Sequence, residues 1–280
     1  MPSGVLRHLA QQLGRVVLDE RVRRRGQAAR VRRAPASQER RRTQSRGAVS
    51  RPGRHPLPAG RVRVDCHVHT VASGDSVLGI EELAERAVAA GIDVVFVTDH
   101  HEVAAAVAAR KRDLGVRIEV GEEIRTPDGE VLGLFLSERI PYVLPLPEVV
   151  ARIRAQGGLV GLPHPYDPVR SGTGAVADGL CAAGAVDFVE AFNAKVGDAA
   201  HNVAAAGLAA RHSLPASAGS DAHDGPGIGA AYVEMPDFDG PADFLDALGR
   251  GRVAGELRPH ALRYPSLDSG RDVPHDRDAF

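Results

Sequence analysis

The run IDVVFVTDH, residues 92–100, decides the fold. Its centre, Val94 to Val97, is apolar at every position, and the polar Thr98, Asp99 and His100 stop it. A strand apolar on both faces needs a covering layer on each side, as in a largely parallel sheet flanked by helices. Just before it, Ile80 to Ala90 (IEELAERAVAA) reads as a helix ended by Gly91, and Val62 and Val64 open a short strand. Just after it, residues 102–113 read as helix, 116–124 (VRIEVGEEI) and 131–136 (VLGLFL) as strands, and 147–156 as helix. Next comes a strand over 158–162 (GLVGL) that runs into Pro163-His164-Pro165. The segment 165–184 reads as a loop. It is followed by a strand over 185–193 (AVDFVEAFN), a helix over 198–212, short strands over 215–223 and 230–234, and a helix over 241–249. Strands alternating with helices predict a parallel sheet, and this many units predict a closed or nearly closed α/β barrel.

The chain has 280 residues, 43 % hydrophobic and 25 % charged, enough for one large or two small globular domains. Its apolar runs reach only about half of the ~20 residues that a membrane-spanning helix needs. Two cysteines, Cys66 and Cys181, are too few for a disulfide framework and fit a reducing, cytoplasmic setting. The net charge of −1 hides an asymmetry: residues 1–60 hold 15 arginines, no lysine and three acids, a net +12, so the other 220 residues carry −13. The expected organisation is a basic arm over 1–60, a barrel over 61–257 and a polar tail over 258–280. In the arm, Leu6, Leu9, Leu13 and Val16 or Val17 recur at helical spacing and predict a short amphipathic helix over 4–22. Beyond Gly26 the apolar content collapses into Arg, Ser, Pro and Gly, the composition of a disordered linker. Such an arm suits contact with nucleic acid or an anionic surface, although it lacks an aromatic residue for base stacking. The plainer reading is a solvated tail.

Histidines and acids recur where the strands end: Asp65, His67 and His69; Asp99 and His100; Glu122 and Glu123; His164; Asp221 and His223. In an α/β barrel those C-terminal ends share one face, so residues far apart in sequence converge there. Imidazoles and carboxylates are the donors of a metal site. His67 and His69, two apart in a strand, present both rings to the same side, and Cys66 between them points the other way.

The set Asp65-Cys66-His67-Val68-His69-Thr70, Thr98-Asp99-His100, Gly121-Glu122-Glu123-Ile124, His164-Pro165 and Gly219-Ser220-Asp221-Ala222-His223 resembles the PHP (polymerase and histidinol phosphatase) family of metal-dependent phosphoesterases. The resemblance runs from about Val62 to Glu256, in the family's order, and leaves the arm uncovered. It implies a distorted seven-stranded (β/α) TIM-like barrel with two or three divalent ions, manganese, zinc or iron. It also implies that His67, His69, Glu123 and Asp221 hold a first ion, that Glu123 bridges to a second held by His164, and that His100 and His223 hold a third. Asp75, in SGDS, falls where the family often has a further ligand. The Gly-x-Glu pattern selects Glu123 over Glu122. One departure stands out: fully populated members carry another histidine between the glutamate and His164, and residues 124–163 contain none.

The catalytic groups expected on this resemblance are Asp221, as acceptor of a water proton, with His100 and His223 positioning the substrate. Glu190, Asn193 and Lys195, in VEAFNAK, resemble a segment near the family's site. Asp65 and Asp99 are expected to orient ligands rather than bind metal. Arg125 and Arg170 could meet an anionic substrate, whereas His101 reads as a loop residue and His201 and His212 as helix residues. The function expected is hydrolysis of a small phosphorylated substrate, a phosphomonoester, nucleotide or short oligonucleotide. The alternatives are an amidohydrolase-like enzyme and a catalytically silent metal-binding module.

Overall fold

The apolar alternation becomes nine strands and six α-helices among the described residues, 57–258, of this computed structural model. The arm up to residue 56, with its segment 4–22, and the chain beyond residue 258 lie outside the described residues. The first half runs β1 (Arg61–Val68), α1 (Ile80–Ala90), β2 (Val94–Val97), α2 (Ala104–Ala109), β3 (Arg117–Thr126), β4 (Gly129–Leu134) and α3 (Leu146–Ala155). The second half runs β5 (Leu159–Leu162), α4 (Gly174–Ala182), β6 (Phe188–Asn193), α5 (Ala199–His212), β7 (Ala216–Gly219), β8 (Ala231–Pro236), α6 (Pro241–Gly249) and β9 (Arg252–Gly255).

All four residues of β2 are buried, as its uninterrupted apolar sequence requires. Val95 and Val97 pack outward with Leu83 and Ala87 of α1 and Val149 and Ile153 of α3. Val94 and Phe96 belong to a second cluster with Leu132, Leu134, Phe188 and the Phe244 ring of α6. Gly91 ends α1 at φ 71°, and its N–H returns to the carbonyls of Ala87 and Val88.

The strand order is β7-β6-β5-β4-β3-β2-β1-β8-β9. The ends of β1 and β7 meet: Asp221 N–H donates to the His67 carbonyl at 2.7 Å, and His69 N–H to the Ala222 carbonyl at 3.0 Å. These bonds make the sheet a nearly closed barrel. The expectation of a parallel sheet holds for β1-β2-β3 and β5-β6-β7 and fails elsewhere. β4 is antiparallel to β3 and β5, because only Pro127 and Asp128 separate Thr126 from Gly129 and a parallel crossover needs a dozen residues or more. β8 and β9 are also antiparallel, joined to the outer edge of β1. The segment expected to be loop contains α4, which buries Ala177, Leu180 and Cys181 at helical spacing.

Candidate metal centre

Most donors come from strand ends on one face of the barrel, and Asp75 comes from the loop between β1 and α1. His67 lies in β1 with His69 just beyond it, Glu123 lies in β3, and His100, His164, Asp221 and His223 follow β2, β5 and β7. His67 Nε2 and His69 Nε2 face each other at 3.0 Å. Glu123 Oε2 is 3.2 and 3.1 Å from these nitrogens. Asp221 Oδ1 is 3.8 and 3.5 Å from them. A tetrahedral ion with bonds of ~2.0–2.1 Å would hold its ligands about 3.3 Å apart, near the spacing of His67, His69 and Glu123, while Asp221 stands farther off and groups with His67 and His164. The other carboxylate oxygen, Glu123 Oε1, is 2.9 Å from His164 Nε2, so Glu123 faces two donor groups at once. A third group comprises His69, Asp75, His100 and His223, with Asp75 Oδ2 3.5 Å from His100 Nε2 and 3.4 Å from His223 Nε2. Asp75 Oδ1, His100 Nδ1 and His164 Nδ1 are buried without a hydrogen-bond partner. Clustered imidazoles, acid-rich surroundings and orphaned donors together fit divalent cations.

The packed imidazoles and carboxylates shift one another's ionisation. Burial opposes ionisation of Glu123, but His67 and His100 hold its carboxyl well below the usual range. Burial likewise opposes a charge on His67, yet the Glu123 and Glu190 carboxylates raise it to about 10. His69 is pushed well down by burial and by the neighbouring His223. Burial would raise Asp75, but His100 and His223 hold it far below its ordinary value.

Glu190 anchors this arrangement. Its Oε1 contacts His67 Nδ1 at 3.1 Å, and its Oε2 accepts from the His164 N–H at 2.8 Å and from Asn193 Nδ2 at 3.0 Å. A carboxylate behind a ligand histidine fixes the ring and its tautomer. Asn193 Nδ2 also donates to Asp221 Oδ2 at 3.1 Å. Lys195 Nζ lies 2.9 Å from His223 Nδ1. Asp65 and Asp99 stand outside the donor groups. Asp65 accepts from the N–H groups of Ser220 and His67, and burial raises its carboxyl to about 7. Asp99 accepts from the Thr70 N–H and hydroxyl, shaping the turn after His69.

The backbone is forced where the donors sit. His164 and Asp221 have φ of 25° and 51°, the left-handed region that non-glycine residues rarely occupy and that tends to mark functional sites. At Gly219 a Cβ would lie 2.3 Å from His67 Cβ and 2.5 Å from Glu190 Oε1, so β7 approaches β1 this closely only with glycine.

Other residues stay away from the donors. Glu122 faces the opposite side of β3, accepts from the Ile140 N–H, and is raised by burial to about 7. His101 packs against Tyr142, His212 pairs with Asp178, and Cys66 joins Val64 and Phe96 in the inner cluster. Three residues near the donors were not anticipated. Glu130 of β4 groups with Glu123 and His164, and its phase with the inward Leu132 and Leu134 was the available signal. The Ser73 hydroxyl contacts His69 Nδ1 at 2.9 Å and accepts from the His100 N–H at 3.0 Å, and a serine in a short turn gives no signal. Asp167 holds Arg170 Nε at 2.9 Å. Arg170 in turn reaches Asp221 Oδ2 and Asn193 Oδ1. Asp75, His100, Glu123, His164, Asp221 and His223 line a cavity of about 290 Å³ whose wall also carries Arg125, Arg170 and Lys195.

Residues 65–156 match the PHP domain family, and residues 199–253 match the family described as PHP-associated. An uncharacterised protein of Methanocaldococcus jannaschii is 37 % identical over 145 residues, 48 % of this chain and 82 % of that one. A second uncharacterised protein of the same organism is 34 % identical over 197 residues, 67 % of this chain and 79 % of that one. Among solved structures, a two-domain protein from Bacteroides vulgatus containing a predicted PHP-like metal-dependent phosphoesterase superposes with a TM-score of 0.59. It is 19 % identical, with 75 % of this chain and 70 % of that chain covered, a likeness of fold.

Proposed function

The chain belongs to the PHP-domain family, and from that premise we propose that it is a metal-dependent hydrolase of small phosphoesters. The observation that carries this reading is the meeting, in one cavity of about 290 Å³, of overlapping imidazole–carboxylate donor groups with three cationic side chains. His67, His69, Glu123 and Asp221 would hold one divalent ion, Glu123 and His164 would share in a second, and Asp75, His100 and His223 would face a third. Such ions supply Lewis-acid activation of water and neutralise phosphoryl oxygens.

The chain's own residues do the rest. Arg125, Arg170 and Lys195 bind the anionic oxygens of the substrate from the cavity wall. His100 and His223 orient the phosphoryl group toward the mouth, and Asp221 accepts the proton of the attacking water. The ester P–O bond breaks as the water oxygen bonds to phosphorus, and solvent protonates the leaving oxygen. Neither cysteine is needed as a nucleophile, since burial raises both thiols, Cys66 well above its ordinary value and Cys181 to about 11. The cavity volume favours a small phosphomonoester, with nucleotides and short oligonucleotides admitted end-on.

The same proposal keeps the division into an arm over 1–60, a barrel over 61–257 and a tail over 258–280. Two free, buried cysteines support a reducing, cytoplasmic setting. Among the described residues no helix is long and apolar enough to cross a membrane. The test is hydrolysis of p-nitrophenyl phosphate and of its bis-ester by metal-stripped protein with and without manganese, beside His67→Ala. Manganese-dependent turnover that His67→Ala abolishes supports the reading. Bound metal with neither ester turned over removes it.

A further inference from the structure

We propose that Glu130 is a protein ligand of the second ion, standing where the sequence has no histidine and making that site rich in oxygen. The inference rests on the metal-dependent reading above, and concerns how the second site is completed. Glu123, Glu130 and His164 form a buried donor group whose ligand atoms all lie within 4.8 Å of one another. His164 Nε2 is 2.9 Å from Glu123 Oε1 and 3.7 Å from Glu130 Oε2. The longer separation is too great for a hydrogen bond and short enough for two ligands of one cation.

The plainer role for Glu130 is that of ion-pair partner to Arg125, and it accounts for only half of the carboxylate. Arg125 Nε donates to Glu130 Oε1 at 2.9 Å, leaving Oε2 turned toward His164. The Glu130 side chain is 4 % exposed while that of Arg125 is 50 % exposed. A surface arginine does not require a carboxylate buried this deeply. Arg125 offsets the charge at Oε1, while Glu130 Oε2 and Glu123 Oε1 both face the His164 imidazole.

The fold fixes this placement. The Glu130 N–H donates to the Ser171 carbonyl at 2.6 Å. Gly129, at φ 122°, lies so close to Thr173 that a Cβ there would be 2.8 Å from its Cα. The hairpin tip is thereby clamped against the loop beside the cavity, and the period of β4 turns Glu130 inward with Leu132 and Leu134. Two carboxylates and one imidazole are harder donors than one carboxylate and two imidazoles. They shift the balance of the site toward manganese and away from zinc.

The experiment counts ions and does not need a substrate. Wild type, Glu130→Gln and Glu130→His are equilibrated with manganese, dialysed and assayed for bound metal, and manganese binding is titrated by calorimetry. Paramagnetic resonance reports coupling between neighbouring manganese ions. Wild type should show a second, coupled ion. Glu130→Gln should weaken that ion at least as much as the ~10–100-fold that loss of an outer-shell partner costs, leaving the first ion in place. Glu130→His should keep two ions while raising the ratio of zinc to manganese affinity. Glu130→Gln with wild-type stoichiometry, affinity and coupling overturns the proposal, as does a Glu130→His protein that loses the second ion. Absence of ester hydrolysis with intact two-ion binding would remove only the phosphoester reading.

Discussion

Gly219→Ala tests whether the close approach of β7 to β1 sets the donor geometry. The added Cβ would stand 2.3 Å from His67 Cβ, where ordinary contact begins at 3.4 Å. One of the two strands must therefore yield by about 1 Å, because the obstacle is the root of a side chain rather than a flexible tip. Overpacking of this kind costs about 1–3 kcal/mol. At roughly 2–4 °C per kcal/mol for a domain of this size, Tm should fall by about 2–12 °C. The same movement would spread His67 Nε2 and His69 Nε2, now 3.0 Å apart, and should weaken the first manganese ion by about tenfold or more. Gly251→Ala is the matched control, since its Cβ would lie 2.5 Å from Cγ1 of Val233, in the apolar cluster beside Val64 and away from the donors. Thermal unfolding of the metal-free proteins and manganese calorimetry separate the effects. Both variants should lose stability, and only Gly219→Ala should lose affinity. Wild-type manganese affinity in a folded Gly219→Ala protein would refute the reasoning.

Glu190→Gln keeps the shape of the group behind His67 and removes its charge, so calorimetry should show manganese binding weakened by ~10–100-fold. Unchanged affinity would mean that Glu190 merely fills space. Arg170→Ala should raise KM for p-nitrophenyl phosphate by about tenfold or more, with a smaller fall in kcat, if its guanidinium meets the phosphoryl oxygens. An unchanged KM would confine Arg170 to holding Asp221 and Asn193. Glu119 gives a pH test outside the donor groups: burial raises its carboxyl above 4.5 against the pull of Arg110 and Arg117. A carboxyl whose folded pKa exceeds the unfolded one binds a proton on folding, so its contribution to stability is full below pH 4.5 and declines as pH rises above it. The Tm of wild type minus that of Glu119→Gln should therefore fall as pH rises above 4.5, and a flat difference would contradict the assignment.

The barrel and most of the donor groups were legible because each rests on a local signal. The apolar centre of residues 92–100 requires cover on both faces, and β2 is buried throughout. His67 and His69 share a face because a strand repeats every two residues, and their Nε2 atoms meet at 3.0 Å. The same repeat separates Glu122 from Glu123: one receives the Ile140 N–H, the other faces His67 and His164. Convergence of strand ends from residue 67 to residue 223 follows once the strands close into a barrel.

What sequence reasoning missed depends on chain direction and on approach in space, which residue types do not encode. Two residues between β3 and β4 rule out a parallel crossover, so the hairpin follows from counting rather than from composition. Its antiparallel return brings Glu130 back beside Glu123, from which it is separated by only seven positions, through a register that pairs Arg125 with Glu130. In a parallel arrangement the next strand would begin at the far end of the barrel, and an acid at its first position would lie away from the donors. A glutamate two residues before a leucine therefore reads as an ordinary strand-edge charge until the strand is reversed. Reversed, it is a buried carboxylate facing His164, and the chemistry of the second donor group turns on that reversal.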